Sequence, residues 1–181
     1  MRLPLSTPLL LTGILGALLG CAPASGETGG DAGDTFLAFA SSFKGYRDWE
    51  AFPVPEGSGD GTVHTLGPRT EHLNKRPAEG ATEFPVGTIL VKETTTEALA
   101  DRKVFAMVKR GGDYNAEGAA GWEWFELQNV TEQDVLIVWR GVGPPAGEMY
   151  GGDPAAGCNS CHVGGKANDY VLSTTVTLED L

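Results

Sequence analysis

Two thiols and an imidazole fall within five residues near the C-terminal end of the chain, in Cys158-Asn159-Ser160-Cys161-His162. On a helical turn, cysteines three apart share a face, and the adjoining histidine can reach a metal on that side. This is the spacing at which two thiols add across the vinyl groups of a haem and the next residue ligates the iron. The pattern predicts one covalently attached haem c, with Cys158 and Cys161 as thioether residues and His162 as the proximal iron ligand. Two other chemistries use similar spacing. A Cys-x-x-Cys redox pair would want a βαβ setting, and half of a zinc site would want further cysteine or histidine ligands nearby. Neither companion pattern surrounds this motif.

The elements that must position the motif belong to one modest domain. The chain has 181 residues, 41% of them hydrophobic, and a formal charge of −11. That length can bury a core of its own. The charge excludes a nucleic-acid surface, which needs clustered Lys and Arg. It suits a soluble redox partner of opposite charge or a small substrate, and it also simply favours solubility. Of three cysteines, Cys158 and Cys161 go to the haem and Cys21 lies at the end of a leader segment, so no pair is left for a structural disulfide.

Residues 1–20 read as a secretory leader, with Arg2 ahead of a short apolar run and small residues after it. Leu18-Leu19-Gly20-Cys21 resembles a bacterial lipoprotein cleavage box, which would make Cys21 a lipidated first residue. An ordinary leader cut a few residues later is the alternative. An acylated Cys21 would anchor the protein to a membrane without spanning it. Residues 21–33 are small and polar and predict a flexible tether, and residues 34–181 form the domain. The expected location is the periplasm or outer cell envelope.

Within the domain, Phe36, Phe39, Ala40 and Phe43 recur at helical spacing and predict a helix over 34–50. Two prolines and several glycines then predict a loop. Strands are expected over 62–66, 70–74, 88–93, 103–108, 122–128, 134–140 and 170–178, from β-branched and aromatic runs bounded by turn residues. The fold class is α+β: a mainly antiparallel sheet with an N-terminal helix and a short C-terminal helical segment that carries the haem motif.

The motif sits close to the chain end, and no methionine follows it. Met107 is read as strand packing, and Met149 could approach the iron from the preceding loop. His64 and His72 are further candidates for a sixth ligand, with surface positions as the plainer reading. Arg69 and Arg140 could pair haem propionates.

Four stretches together resemble the cytochrome P-460 family and its relative cytochrome c′-beta. They are Tyr46-Arg47-Asp48-Trp49, the run from Phe84-Pro85-Val86-Gly87 to Lys92-Glu93, Gly121-Trp122-Glu123-Trp124-Phe125, and the haem motif followed by Asn168-Asp169-Tyr170-Val171. The resemblance implies oxidation of hydroxylamine, and of NO, at a haem with an open iron position. It makes Lys92 the candidate for a third covalent link, from its amine to the porphyrin ring. Alternation alone places Thr88, Leu90 and Lys92 on one strand face and reads the lysine as exposed. The resemblance also asks for a distal carboxylate to move protons, for which Glu148 and Asp153 are the candidates. Cytochrome c′-beta shares the fold without the crosslink, and phenylalanines such as Phe36, Phe39, Phe43 and Phe105 could close an NO-binding pocket instead. A plain electron carrier is the third reading. The expected partners are small nitrogen species, a soluble redox protein, the membrane that holds the anchor, and a second copy of the chain as a homodimer.

Overall fold

A computed structural model describes residues 34–54, 68–95, 98–147 and 157–181. Six strands make one antiparallel sheet in simple chain order: β1 Glu50–Val54, β2 Arg69–Leu73, β3 Ile89–Thr94, β4 Val104–Lys109, β5 Trp122–Asn129 and β6 Val135–Gly141. The one α-helix among the described residues, α1, is Cys158–His162, and a 3-10 segment, Val163–Asn168, continues it. The α+β architecture expected from the sequence is therefore present.

Alternation along the strands makes two apolar faces, because successive side chains point to opposite sides. One face carries Ile89 and Val91 of β3, Val104, Ala106 and Val108 of β4, and Phe125 and Leu127 of β5, covered by Phe43 and Tyr46 from the N-terminal segment. The other carries Leu73, Leu90, Met107, Trp122 and Trp124, covered by Phe84, Val171 and Val176. Register ties the second face into rows. Glu71 stands opposite Lys92, Lys92 opposite Phe105, Phe105 opposite Glu126, and Glu126 opposite Trp139. Next to it, Leu73, Leu90, Met107 and Trp124 line up in the same way.

Three expectations are corrected. The N-terminal helix is absent: residues 34–50 hold only two 3-10 turns, Ala40–Phe43 and Tyr46–Asp48. Here the chain runs extended, with the Phe36 N–H donating to Arg110 O and a bridge between Thr35 and Gly111. Ala38 and Phe43 point into the core while Phe39 is 58% exposed, so the aromatic spacing was not a helical stripe. Gly45, at φ 65, then takes a left-handed turn that suits glycine. The region read as a loop over Pro53 includes β1, an edge strand, where proline costs no ladder bond on its free side. No strand forms over 170–178. Ser173 Oγ accepts from the backbone N–H groups of Thr175 and Val176, so a side chain satisfies donors that a sheet would otherwise take. Residues 62–66 lie outside the described residues.

Candidate haem-binding site

The second sheet face and α1 flank a pocket of about 80 Å³ that is partly open to solvent. Leu90 and Lys92 of β3, Phe105 and Met107 of β4, Trp124 of β5 and Trp139 of β6 make its floor. Cys158, Cys161 and His162 make one wall, and Glu71 and Leu172 help close it.

The motif is fixed to the sheet by Asn159, the first of the two residues between its cysteines. Asn159 Oδ1 accepts from Asn115 Nδ2 at 2.8 Å, from the Ala119 N–H at 3.2 Å and from Trp124 Nε1 at 3.2 Å. Its amide donates to Asn115 Oδ1 at 2.8 Å. A Cβ on Gly118 would collide with the Asn159 amide, so only glycine leaves room for this junction. The tie carries over to the histidine, whose ring lies 4.3 Å from that of Trp124.

His162 is oriented for metal binding. Its Nδ1 is 2.7 Å from Tyr170 O. A carbonyl oxygen only accepts, so Nδ1 carries the proton and Nε2 keeps its lone pair. A ligating histidine ordinarily has such an outer partner, which fixes the ring and raises its basicity. Burial, with the Lys92 charge adding and the Tyr170 bond opposing, pushes the His162 pKa down to about 4. The imidazole is thus neutral at ordinary pH, as a ligand must be. The haem-free protein is expected to lose stability as pH falls from 6.5 toward 4, because the unfolded chain takes up a proton that the folded site refuses. A shift of that size is worth at most about 3 kcal/mol. Denaturant unfolding at pH 7 and pH 4.5 would read it as a loss that His162→Phe reduces.

Burial pushes the Cys158 thiol up to about 11. A redox dithiol instead needs a thiol shifted down toward its thiolate, so Cys158 is unlike the attacking residue of such a pair. Cys161 is exposed at the pocket edge. A pair of thiols on one turn, a neutral imidazole with a free Nε2 and an apolar floor with two tryptophans fit a covalently held haem, and a family-wide comparison agrees. A model of the cytochrome P460 family matches residues 43–173.

The chain belongs to the cytochrome P460 family. It is a c-type haem protein of that family, and the family implies a haem c cofactor. No curated protein and no solved structure matches it.

Membership gives Lys92 its context, and the structure puts the residue on the pocket floor, away from the strand-end exposure that alternation alone suggested. Burial is the main cause that brings its pKa down to about 8, with Arg69 adding and Glu71 opposing. Glu71, which sequence reasoning missed, is 2% exposed and accepts hydrogen bonds from Ser173 and Thr175. Its place beside Lys92 follows from strand register, which no local pattern reveals.

The other site residues read from the sequence fall in different places. Arg69 is buried in β2, two residues from Glu71 on the same strand face. Arg140 is not brought to the pocket: it stacks on Phe125 of the opposite face, donating to Glu123 at 2.7 Å and to Ala38 O. His72 also faces away, its ring 5.3 Å from that of Tyr46. Of the four phenylalanines considered for a closed pocket, Phe105 lines it; Phe36 and Phe43 pack on the far face and Phe39 points to solvent. Met107 lines the pocket as well as the core. Glu148, Asp153, Met149, His64 and Cys21 lie outside the described residues.

Proposed function

We propose that this cytochrome P460 family member oxidises hydroxylamine, and NO with it, at a single haem held through Cys158 and Cys161, with His162 on the iron and Lys92 as a third covalent link. The observation that carries this reading is the position of Lys92. Its amine lies on the floor of the pocket that the two cysteines and His162 wall, beside Phe105 and across from Glu71. When bound, the haem supplies an iron that coordinates a small nitrogen ligand and withdraws electrons from it. Cys158 and Cys161 fix the group at one edge. His162 is held in one tautomer by Tyr170 O. Phe105, Met107 and Trp139 exclude water from the floor. Glu71 keeps a carboxylate near Lys92, positioned by two hydroxyls. Glu148 and Asp153 are the proposed proton-moving acids. Electrons would pass to a soluble partner outside the cytoplasm, with Cys21 as a lipid anchor.

The test is a titration of the ferric holoprotein with hydroxylamine in the presence of a soluble electron acceptor. The expected result is a ligand-dependent change in the haem spectrum with reduction of the acceptor. An unchanged spectrum, or a changed one without acceptor reduction at any hydroxylamine concentration, would overturn the proposal. The second outcome would favour the other reading, a non-catalytic NO-binding protein, for which the apolar Phe105 on the floor is the supporting observation.

A further inference from the structure

The haem segment is locked to the sheet by a buried ion pair that the proposed reaction does not use. Lys109 ends β4 and is 6% exposed; Asp169, which follows the 3-10 segment, is 5% exposed. Lys109 Nζ donates to both Asp169 oxygens, at 2.7 and 2.8 Å, and lies 3.3 Å from Ala120 O. Asp169 Oδ2 also accepts from the Phe84 N–H at 2.9 Å. Gly121, at φ +78, passes so close that a Cβ there would lie 3.2 Å from Lys109 Cε. Both charged ends are thus held by fixed groups, at the edge of a partly open cavity that Lys109 and Asp169 help to line.

The pair sits at a backbone turn that is unusual for residues with side chains. Asp169 and Tyr170 are consecutive non-glycine residues in the left-handed region, at φ 48 and φ 65. Asp tolerates that region better than most residues, whereas a bulky side chain such as that of Tyr170 rarely adopts it. The turn they form is closed by the Tyr170 N–H donating to Gly165 O at 2.8 Å, and it aims Tyr170 O at His162 Nδ1. Replacing a buried ion pair with apolar residues of the same volume is commonly neutral or stabilising. Stability alone is therefore a weak reason for this one, whereas geometry is a specific reason.

We infer that Lys109 and Asp169 are positioning residues that hold the Tyr170 carbonyl on His162 and so set how strongly His162 donates electrons to the haem iron. The inference rests on His162 as the iron ligand but not on hydroxylamine as the substrate. A firm Nδ1–H to carbonyl bond makes the imidazole a better donor and favours the ferric state. Freeing the 169–170 turn weakens that bond and raises the midpoint potential.

The experiment measures the midpoint potential and the iron–histidine stretching frequency of holoprotein for wild type, Asp169→Asn, Lys109→Met and Lys109→Arg. Arg47→Met, which breaks the buried pair with Glu93 on the opposite sheet face, is the control for loss of stability without loss of this clamp. Asp169→Asn and Lys109→Met are expected to move the ferrous-to-ferric ratio at fixed potential about tenfold toward ferrous, which is about 59 mV for one electron, and to lower the stretching frequency. Lys109→Arg should restore most of the wild-type value. Arg47→Met should lower the unfolding midpoint and leave the potential where it was. If the single variants do not fold, Lys109→Gln with Asp169→Asn removes both charges while keeping hydrogen-bonding groups, and the same shift is expected. Unchanged potentials in folded Asp169→Asn or in the double variant would overturn the inference, as would an equal shift in Arg47→Met. A haem protein inert to hydroxylamine still returns every one of these values, so failure of the proposed reaction and failure of the clamp are read separately.

Discussion

In Lys92→Ala, the haem is expected to show an ordinary c-type ferrous spectrum in place of the strongly red-shifted Soret band expected of the wild type, and hydroxylamine turnover is expected to vanish. The argument starts from the floor of the pocket. Lys92 is in the third of six strands, flanked in its row by Glu71 and Phe105, so it stands on the pocket floor and not at a sheet edge. Burial brings its pKa down to about 8. An amine forms a bond only when neutral, and the neutral fraction grows as pH rises through 8, well before an ordinary lysine would supply it. A nitrogen joined to the porphyrin ring perturbs the macrocycle directly, which is why the spectrum reports the bond. Lys92→Arg separates bond from charge. Its guanidinium keeps the positive charge but stays protonated at any accessible pH, so the red shift should be absent there too. Intact-mass analysis after removal of the thioether links gives the same answer independently. A red-shifted band that persists in Lys92→Ala would remove the residue from the proposal.

Asn159→Leu is expected to be the most damaging change at a position the haem motif leaves free. It strips the acceptor from three donors, the Asn115 amide, the Ala119 N–H and Trp124 Nε1, and the donor from Asn115 Oδ1. Leaving a buried polar group unpaired costs about 1–3 kcal/mol. Water can reach part of this half-buried junction, so a total loss of about 3 kcal/mol is expected in denaturant unfolding. The functional effect should exceed the thermodynamic one. Trp124 backs the His162 ring, and the Asn159 junction holds α1 against β5. The fraction of purified chain carrying covalent haem should therefore fall several-fold, whereas Asn159→Asp, which keeps the acceptor, should retain most of it. Gly118→Ala should behave like the leucine variant, because its methyl group meets Asn159. Normal haem loading in both would show that the two cysteines alone fix the segment.

What could be read from the sequence follows the range of the forces involved. The middle strands were legible because alternation is local and strong: β3, β4 and β5 bury one apolar row on each face. The haem motif was legible because its two thioether cysteines and its ligating histidine are neighbours in the chain. The N-terminal stretch misled because three phenylalanines at helical spacing serve separate ends, Phe36 and Phe43 packing on the core and Phe39 pointing to solvent. Lys92 could be singled out only by resemblance, since its environment depends on which strands lie on either side. Glu71 was invisible for the same reason. The partner of His162 could not be read at all, because it is a backbone carbonyl whose direction depends on two left-handed residues.

The plain chain order of the sheet has a consequence for assembly. Every pairing from β1 to β6 joins strands adjacent in sequence, so each ladder can close as soon as its second strand is available, without waiting for a distant segment. Such local topologies form quickly. All six strands precede Cys158. As the chain is delivered from its N-terminal end, the apolar floor is complete before the two thiols emerge, and they meet a docking surface already in place.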